Sequence, residues 1–431
     1  MRINQIAHHR RDHAEKSRIG RTTGIAAMAL GLLLSAAPAR ADWITSWSAA
    51  PVRPRTDLGP LMAPRSYNNQ TLVQTLRIAA GGKALRLRLT NAYGEKPLEI
   101  GGVRIALLDP QGAEVPGSAR MLRFGGAATA RIPARAPLLS DTVDMPVPDL
   151  ARLSVQIYVP GDTGPCTCHE SGLDTLRVSP PGNYLGKPFE PVQQGPHRPF
   201  LAAVEVDAQD GAGTIAMLAD SITDGIGSTP GANRRWPDFL AARLSAAAPG
   251  KWGIANQGIS GNRVLSDGFG DSALARVDRD ILALPGIRYL IVFEGVNDLG
   301  IAFGAERMAQ QAGRPNVLAD GTKVTLETML EGYRQIAERA RARGITAVGA
   351  TIAPYKGATY WTPEAEAVRQ GINAAIRSGT IFDAWLDFDA AFADPANPQQ
   401  MRPGYHMGDF LHGTDAGYEA LAASIDLSLF K

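Results

Sequence analysis

Cysteine is scarce in this sequence: the 431 residues include only two, Cys166 and Cys168. A zinc site needs several ligands close together, and His169 is the only further candidate ligand next to this pair, so a metal site is not expected. The two thiols could join in an oxidising compartment, but a ring closed across one residue is small and strained. The sequence therefore leaves the pairing of the cysteines open.

Long apolar runs are also missing. No stretch reaches the roughly 18 consecutive apolar residues that a membrane-spanning helix needs, so no membrane span is predicted. The first 41 residues instead combine a basic head, an apolar stretch over 25–34 and the cleavage pattern Ala39-Arg40-Ala41. This order predicts a signal peptide over residues 1–41 and a protein that is exported, either to the periplasm or out of the cell.

Neither sign of charge is in large excess. The chain has 44 basic and 42 acidic residues, of which residues 1–41 hold seven basic and two acidic ones. Removal of that segment leaves 37 basic and 40 acidic residues, so the basic balance belongs to the predicted signal peptide. Neither nucleic acid nor an anionic membrane surface is expected as a partner.

From about residue 70 the apolar pattern alternates with period two. Leu85, Leu87 and Leu89 alternate with two arginines, and a Gly-Gly turn separates them from an earlier apolar run, which predicts an antiparallel hairpin. Further short strands with turns between them, and no helical periodicity, predict an all-β sandwich over residues 42–178. Residues 179–200 are rich in proline and glycine and predict a linker.

From residue 201 onward, apolar runs alternate with amphipathic ones. The apolar runs TIAMLAD, WGIANQGI, RYLIVFEG, ITAVGATIAP and AWLDFDA are almost continuously hydrophobic, as buried parallel strands are. Asp387 and Asp389 in the last run are interpreted as polar residues alternating at a strand end. The pattern predicts an open α/β sandwich with about five parallel strands over residues 201–431.

One serine stands where such a sheet places its ligands. TIAMLAD ends at Asp220 and is followed by Ser221, two glycines and a helical segment, so Ser221 lies at the carboxyl end of a central strand. A serine hydroxyl becomes a nucleophile only with a base in contact, a group that orients the base, and donors for an oxyanion. Taken alone, Ser221 could simply cap the following helix.

The histidines narrow the choice of base. Three of the seven fall in the predicted signal peptide, His169 in the β-rich region and His197 in the linker. His406 and His412 precede the closing helix, at the same sheet edge as the serine, and Asp409 can turn back to fix the tautomer of His412. His406 is interpreted as a surface or rim residue. No G-x-S-x-G occurs, which disfavours the nucleophile-elbow hydrolases.

Four blocks occur in order: ADSITDG, NQGISGN, GVND and DFLH. Together they resemble the SGNH (GDSL-type) hydrolase superfamily from about residue 214 to the end. The resemblance implies a three-layer α/β/α sandwich with Ser221 as nucleophile and Asp409 and His412 as its catalytic partners. It further implies that Ser221, Gly261 and Asn297 form the oxyanion hole.

Other phrases carry a finer resemblance. RWPDFLAARL and GISGNRVL are similar to a branch of arylesterases and acylhydrolases associated with xylan degradation, and the β-rich stretch resembles the leader domain of that branch. Two positions depart from the family blocks. Ala219 replaces the first-block glycine, and Gly413 replaces the proline after the last-block histidine, which predicts a looser loop.

Several polar or large residues near the blocks are predicted to be structural. Asp220 and Asp224 are interpreted as turn and helix-start residues, Asp298 as a support of the Asn297 loop, and Trp236 as a packing residue. For two further residues, two interpretations stay open. Arg263 forms a surface salt bridge or faces an acyl or sugar group, and His169 is an ordinary loop residue or reaches a pocket.

This constellation predicts a serine esterase that acts on short-chain acyl or aryl esters through an acyl-serine, with acetyl esters of plant cell-wall polysaccharide as one candidate substrate. The chemistry needs no cofactor and no metal. Two alternatives stay open: an O-acetyltransferase that uses the same serine, and a carbohydrate-binding protein without catalysis. The expected partner is a small-molecule or polysaccharide ester, and the oligomeric state is not predicted.

Overall fold

The computed structural model describes residues 43–59, 62–313, 316 and 318–431, and short antiparallel strands make up its first part. The predicted signal peptide, residues 1–41, lies outside the described residues. The strands of the first part are β1 (Trp43–Ser48), β2 (Gln70–Arg77), β3 (Gly82–Thr90), β4 (Leu98–Ile100), β5 (Gly102–Leu108), β6 (Arg120–Met121), β7 (Ala130–Ile132), β8 (Pro137–Leu139), β9 (Val143–Val147), β10 (Arg152–Val159), β11 (Cys168–His169), β12 (Leu176–Val178), β13 (Gln193–Gly195), β14 (Arg198–Pro199) and β15 (Leu201–Asp207).

Most of these strands belong to two sheets that share a core. One sheet has the order β1-β15-β3-β8, with β9 also paired to β3, and the other has the order β13-β12-β2-β10-β5-β6. Leu87 and Val204 from the first sheet meet Leu72 and Val155 from the second in one buried cluster. Because alternate side chains point to opposite faces of a strand, the period-two pattern supplies this core, and the predicted antiparallel β part is confirmed.

The predicted hairpin around the Gly-Gly turn is wrong. β2 pairs with β10 and β12, whereas β3 pairs with β15, β8 and β9, so the two consecutive strands lie in different sheets. Ile78 to Ala80 between them are buried, and a Cβ at Gly81 would lie 2.3 Å from the carbonyl oxygen of Val147. The chain here crosses between sheets through a tightly packed turn.

The second part alternates strands with helices. Its strands are β16 (Gly213–Ala219), β17 (Trp252–Gly258), β18 (Ile287–Phe293), β19 (Thr346–Ala350), β20 (Ala384–Leu386), β21 (Ala393–Asp394) and β22 (Asn397–Met401). Its α-helices are α1 (Ser221–Asp224), α2 (Trp236–Ala247), α3 (Ala273–Val277), α4 (Val296–Leu299), α5 (Ala305–Gln311), α6 (Leu326–Arg341), α7 (Pro363–Arg377), α8 (Phe388–Phe392) and α9 (Asp415–Ser424). Two π-helical segments (Asp278–Leu282 and Gly300–Gly304) and a 3₁₀ turn (Leu427–Leu429) complete it. No helix within the described ranges is long and apolar enough to cross a bilayer.

Five of these strands form one parallel sheet in the order β17-β16-β18-β19-β20. Numbered along this part of the chain, the order is 2-1-3-4-5, a common arrangement of doubly wound folds. Every residue of β16 is buried, as expected for a central strand covered on both faces. The predicted α/β architecture with about five parallel strands is confirmed, and its ligand crevice is expected at the carboxyl end of β16.

The two parts meet directly rather than through a linker. β15 pairs with β1 and β3, so the antiparallel part extends to Asp207, and residues 179–200 contain β13 and β14. The backbone N–H of Thr45 donates to Thr214 Oγ1 at 2.9 Å, and that hydroxyl donates to the Thr45 carbonyl at 3.0 Å. The predicted linker and the predicted boundary at residue 201 are therefore wrong, and the described residues belong to one compact unit.

The last strand of the parallel sheet is shorter than predicted. β20 ends at Leu386, where Asp387 accepts the N–H of Ala390 and caps α8, while Asp389 lies inside that helix. Both carboxylates bind the guanidinium of Arg377. The interpretation of these two aspartates as alternating strand residues is wrong, because a capping side chain turns the chain into a helix after three strand residues.

Candidate active site

Ser221 begins a one-turn helix directly after the central strand. The side chain of Asp220 accepts the N–H of Ile222 at 2.9 Å and caps α1, as predicted for a helix-start residue. The helix ends at Gly225, whose φ of 106° would strain a residue with a side chain and whose N–H donates to the Ser221 carbonyl. Ser221 is thereby fixed at the carboxyl edge of the sheet.

A histidine and an aspartate from the loop before α9 reach this serine. His412 Nδ1 lies 2.6 Å from Asp409 Oδ2, and His412 Nε2 lies 2.9 Å from Ser221 Oγ. Because a carboxylate only accepts, Nδ1 carries the ring hydrogen, and Nε2 is left to accept the serine proton. Burial raises the pKa of Asp409, but the His412 ring and the N–H groups of His412 and Leu411 outweigh it and lower that pKa to about 2.

The loop that carries His412 is held by contacts of its own. His406 Nδ1 accepts the N–H groups of Gly408 and Phe410, and the His406 ring stacks on Phe410 with centroids 4.4 Å apart. Phe410 has a φ of 59°, a left-handed conformation that these contacts stabilise. His406 is therefore only partly exposed and shapes the loop.

Gly413 does not loosen this loop, contrary to the prediction. It is buried, and its N–H donates to the hydroxyl of Tyr418 from α9 at 3.2 Å. A Cβ at Gly413 would lie 2.7 Å from the Tyr418 ring, so glycine allows that ring to approach. The same hydroxyl donates to the carbonyl of Ile226, in the segment after α1, and so joins the histidine loop to the serine loop.

The two further loops with predicted oxyanion donors begin level with the serine. Strand register places Ala219 beside Gly258 of β17 and beside Phe293 of β18. Gly261 follows β17 in the left-handed region, with a φ of 78°. Asn297 follows β18 and donates one amide hydrogen to the carbonyl of Asn262 at 3.0 Å, which ties the two loops together.

Asp298 supports these loops, as predicted. Its carboxylate accepts the N–H of Val264 at 2.8 Å and that of Leu265 at 3.0 Å, and so holds the segment after Gly261. Burial raises the pKa of Asp298 to about 6, although those two N–H groups act to lower it.

A buried arginine joins three strand ends. Arg276 of α3 donates to the carbonyls of Ala219 and Gln257, to the side chain of Asn262, and to Glu294. These partners follow or end β16, β17 and β18, so one guanidinium fixes the spacing of the three loops. Burial, with repulsion from Asp220, raises the pKa of Glu294 well above its usual range, and Arg276 opposes that rise.

A second carboxylate of α1 has a partner from the antiparallel part. Asp224 Oδ1 lies 2.9 Å from His169 Nε2, and Asp224 Oδ2 accepts both the N–H and the hydroxyl of Ser260. His169 follows the disulfide formed by Cys166 and Cys168. His169 is thus buried against the serine helix, and Asp224 does more than start a turn.

The structure also places the remaining predicted residues. Trp236 is fully buried and donates to Thr223 Oγ1, as predicted for packing. His197 is buried in the antiparallel part beside Glu170. Arg263 is buried, and its guanidinium donates to the carbonyls of Asp267 and Leu318. It also pairs with the exposed carboxylate of Asp320 at 3.7 Å, so the predicted salt bridge is confirmed.

Arg276 and Ser260 were missed by sequence reasoning. Arg276 did leave a signal, because it falls on the helix face that carries the buried Ala273 and Val277. A charged residue at an apolar-face position needs a buried partner. Ser260 left no signal apart from its place before Gly261, since its partner Asp224 lies 36 residues away in the sequence.

Comparison with known protein families gives one match. Residues 220–420 match the GDSL-like Lipase/Acylhydrolase family, a range that includes Ser221, Gly261, Asn297, Asp409 and His412 but not His169. The comparison with curated proteins found no match.

Solved structures resemble about half of the chain at low identity. An acetyl xylan esterase from Geobacillus stearothermophilus is 21% identical over 50% of this chain and 93% of its own, with a TM-score of 0.37. The lipase/acylhydrolase from Enterococcus faecalis is 16% identical over 49% and 92%, with a TM-score of 0.36. An alpha/beta hydrolase from the metagenome of Lake Arreo, Spain, is 22% identical over 49% and 94%, with a TM-score of 0.37. At these scores the likeness says nothing about the substrate of this chain.

Proposed function

We propose that this chain, a carboxylic ester hydrolase whose residues 220–420 form a GDSL-like lipase/acylhydrolase domain, cleaves short-chain acyl or aryl esters through an acyl-serine intermediate. The contact that supports the proposal best is the 2.9 Å approach of His412 Nε2 to Ser221 Oγ, with Asp409 on the other ring nitrogen. This arrangement satisfies the requirement for a nucleophile, a base and a group that orients the base.

In the first step, His412 Nε2 takes the hydroxyl proton while Ser221 Oγ bonds to the ester carbonyl carbon. The oxyanion forms beside the N–H of Ser221, the N–H of Gly261 and the side-chain amide of Asn297. The carbon–oxygen bond to the alcohol then breaks, and the alcohol leaves with the proton from His412. A water molecule then gives a proton to His412 and bonds to the acyl carbon. The bond from that carbon to Ser221 Oγ breaks, the proton passes from His412 to Ser221 Oγ, and the acid leaves.

Apolar side chains cover the loop of the proposed oxyanion hole. Gly261 is covered by the ring of Phe269, since a Cβ there would lie 2.4 Å from that ring. Phe269 and Ile259 pack with Val52 and Met62 of the antiparallel part. The loop of the proposed oxyanion hole is therefore held in part by apolar packing from the antiparallel part.

Two finer proposals rest on the sequence. The similarity of RWPDFLAARL and GISGNRVL to the xylan-associated branch supports acetyl esters of plant cell-wall polysaccharide as substrates. The segment 1–41 supports export, to the periplasm or out of the cell, where such a polymer is accessible.

The test is release of p-nitrophenol from acetate through octanoate esters by the wild type, Ser221→Ala and Ser228→Ala. Ser228 is a buried serine in the same loop region whose hydroxyl donates to the Gly225 carbonyl, so it controls for the loss of a hydroxyl. We expect activity that falls with chain length, vanishes in Ser221→Ala and persists in Ser228→Ala. Equal activity of Ser221→Ala and the wild type would refute the proposal.

Two outcomes of this test would indicate another function in place of ester hydrolysis. Acetate release that requires an added sugar acceptor would indicate an O-acetyltransferase. Binding of acetylated xylan by a folded wild type without turnover of any ester would indicate a carbohydrate-binding protein.

A further inference from the structure

His169 and Asp224 form a buried pair across the junction of the two parts. His169 comes from β11 of the antiparallel part, and Asp224 is the last residue of the helix that Ser221 begins. The two side chains are 7% and 5% exposed, and His169 Nε2 lies 2.9 Å from Asp224 Oδ1. No reacting group of the proposed mechanism belongs to this pair.

Both ring nitrogens of His169 face oxygen atoms that accept. Nε2 faces the Asp224 carboxylate, and Nδ1 lies 3.0 Å from the carbonyl oxygen of Ala50. The ring therefore lies between two accepting oxygens, one of them on a buried carboxylate, and can donate to either. Such a pair is costly to break, because removal of the ring leaves the buried carboxylate without that partner.

Asp224 also binds the loop of the proposed oxyanion hole. Its second oxygen accepts the N–H of Ser260 at 3.1 Å and the hydroxyl of Ser260 at 2.7 Å. Ser260 directly precedes Gly261, whose N–H must point at the substrate carbonyl. The direction of that N–H is set by the peptide plane between Ser260 and Gly261.

We propose that His169 is a positioning residue of the ester hydrolase: it holds Asp224, which holds Ser260, which aims the N–H of Gly261. This inference rests on the proposed function. It gives the antiparallel part a role in catalysis, because His169 lies outside the range 220–420 that matches the family. The packing of Val52 and Met62 on Ile259 and Phe269 steadies the same loop from the same side.

The first test compares kcat and KM on p-nitrophenyl acetate for His169→Ala, His169→Gln and the control His197→Ala. His197 is a second buried histidine of the antiparallel part; it contacts Glu170 and not Asp224. A misplacement of about 1 Å at a catalytic group costs about 100-fold in rate, so we expect a fall of that order in kcat for His169→Ala, with KM within about twofold of the wild type.

The conservative variant His169→Gln distinguishes a positioning role of His169 from a role in folding alone. The amide of His169→Gln can still donate to Asp224 but does not reproduce the shape of the ring, so we expect its kcat to lie between those of the wild type and His169→Ala. His197→Ala is expected to keep kcat within about twofold, because it leaves the Asp224 contacts intact. If His169→Ala does not fold, the comparison of His169→Gln with His197→Ala replaces it.

The second readout is hydrogen exchange of the peptide that contains Ser260, which does not depend on ester turnover. Its N–H is held by Asp224, so we expect faster exchange in the His169 variants than in the wild type or His197→Ala. Unchanged exchange, or a kcat equal to that of the His197 control, would overturn the role of His169. If the wild type cleaves no ester, the proposed function fails, and the exchange experiment alone decides whether His169 holds the loop.

Discussion

The side-chain amide of Asn297 has two hydrogens, of which one binds a neighbouring loop and the other can bind an oxyanion. The first is donated to the carbonyl of Asn262, while the amide oxygen lies 3.4 Å from the hydroxyl of Tyr360. The shorter contact, to Asn262, holds the amide plane, so the remaining N–H keeps one direction. A donor fixed in advance stabilises a developing oxyanion without reorganisation in the transition state.

We therefore expect Asn297→Ala to lower kcat on p-nitrophenyl acetate by roughly 100- to 1,000-fold, the range found for loss of one oxyanion donor. Tyr360→Phe is the matched control, since it removes only the long contact to the amide oxygen and is expected to retain most of kcat. Circular dichroism checks that both variants fold. A kcat for Asn297→Ala close to that of Tyr360→Phe would remove Asn297 from the oxyanion hole.

At the scale of single residues, the sequence predicted contacts between residues that are close together in the chain. Asp409 and His412 are three residues apart, so their contact follows from the D-x-x-H spacing, and their approach to Ser221 follows from the resemblance. Their catalytic roles stay predictions. The partners of Asp224 could not be foreseen, because His169 lies 55 residues earlier and reaches it only through the packing of the two parts.

Helix α1 begins with a buried acidic cap whose charge state depends on pH. Burial raises the pKa of Asp220 from 3.8 to about 7, although the Ile222 N–H that it accepts acts to lower it. The folded protein therefore binds this proton more tightly than the unfolded chain does. The stability that the neutral cap contributes is complete below about pH 4 and is lost as pH rises through about 7.

Asp220→Asn keeps the accepting oxygen and removes the charge. We expect its free energy of unfolding to match that of the wild type near pH 4 and to exceed it by on the order of 4 kcal/mol above pH 8, since one pKa unit corresponds to about 1.4 kcal/mol. Urea unfolding at a series of pH values measures the difference.

The control for this prediction is an exposed cap. Asp426 accepts the N–H of Ser428, which lowers the pKa of Asp426. It is therefore ionised across this pH range, and Asp426→Asn is expected to show no gain between pH 4 and pH 8. A pH-independent difference between Asp220→Asn and the wild type would show that Asp220 does not titrate as described.

The hydrophobic period and the composition predicted where the strands lie better than they predicted which strands pair with each other. The alternation of Leu85, Leu87 and Leu89 gave the buried face of β3, and all three are fully buried. The partner of β3 depends on the turn at Gly81, where backbone atoms of another strand leave no room for a side chain. Such a contact joins distant parts of the chain and has no local pattern.

At the scale of the whole molecule, the junction of the two parts includes a backbone contact. A Cβ at Gly253 of β17 would lie 2.2 Å from the carbonyl oxygen of Thr45 in β1. The two backbones therefore meet with no side chain between them. The sequence pattern changes near residue 200 from that of antiparallel strands to that of parallel strands, and this change predicted two separate domains. The pattern of a strand does not indicate which other surfaces it contacts.

Gly253→Ala is expected to lower the free energy of unfolding by about 1–3 kcal/mol, as overpacking of a tight contact does. Gly161→Ala is the matched control, since a Cβ there meets nothing within 4 Å. Denaturant unfolding followed by fluorescence and circular dichroism measures both, and one coincident transition is expected because the two parts share this contact. Equal stability of the two variants would mean that β1 and β17 separate without cost.

The pairing of β1 with β15 also has a consequence for the order of folding. Trp43 pairs with Asp207, so the first strand of the antiparallel part finds its partner only after almost half of the chain has been made. Contacts so distant in sequence close slowly, because the loop between them loses its conformational entropy before the contact forms. A chain that leaves the ribosome therefore stays open at β1 until residue 207 has been made.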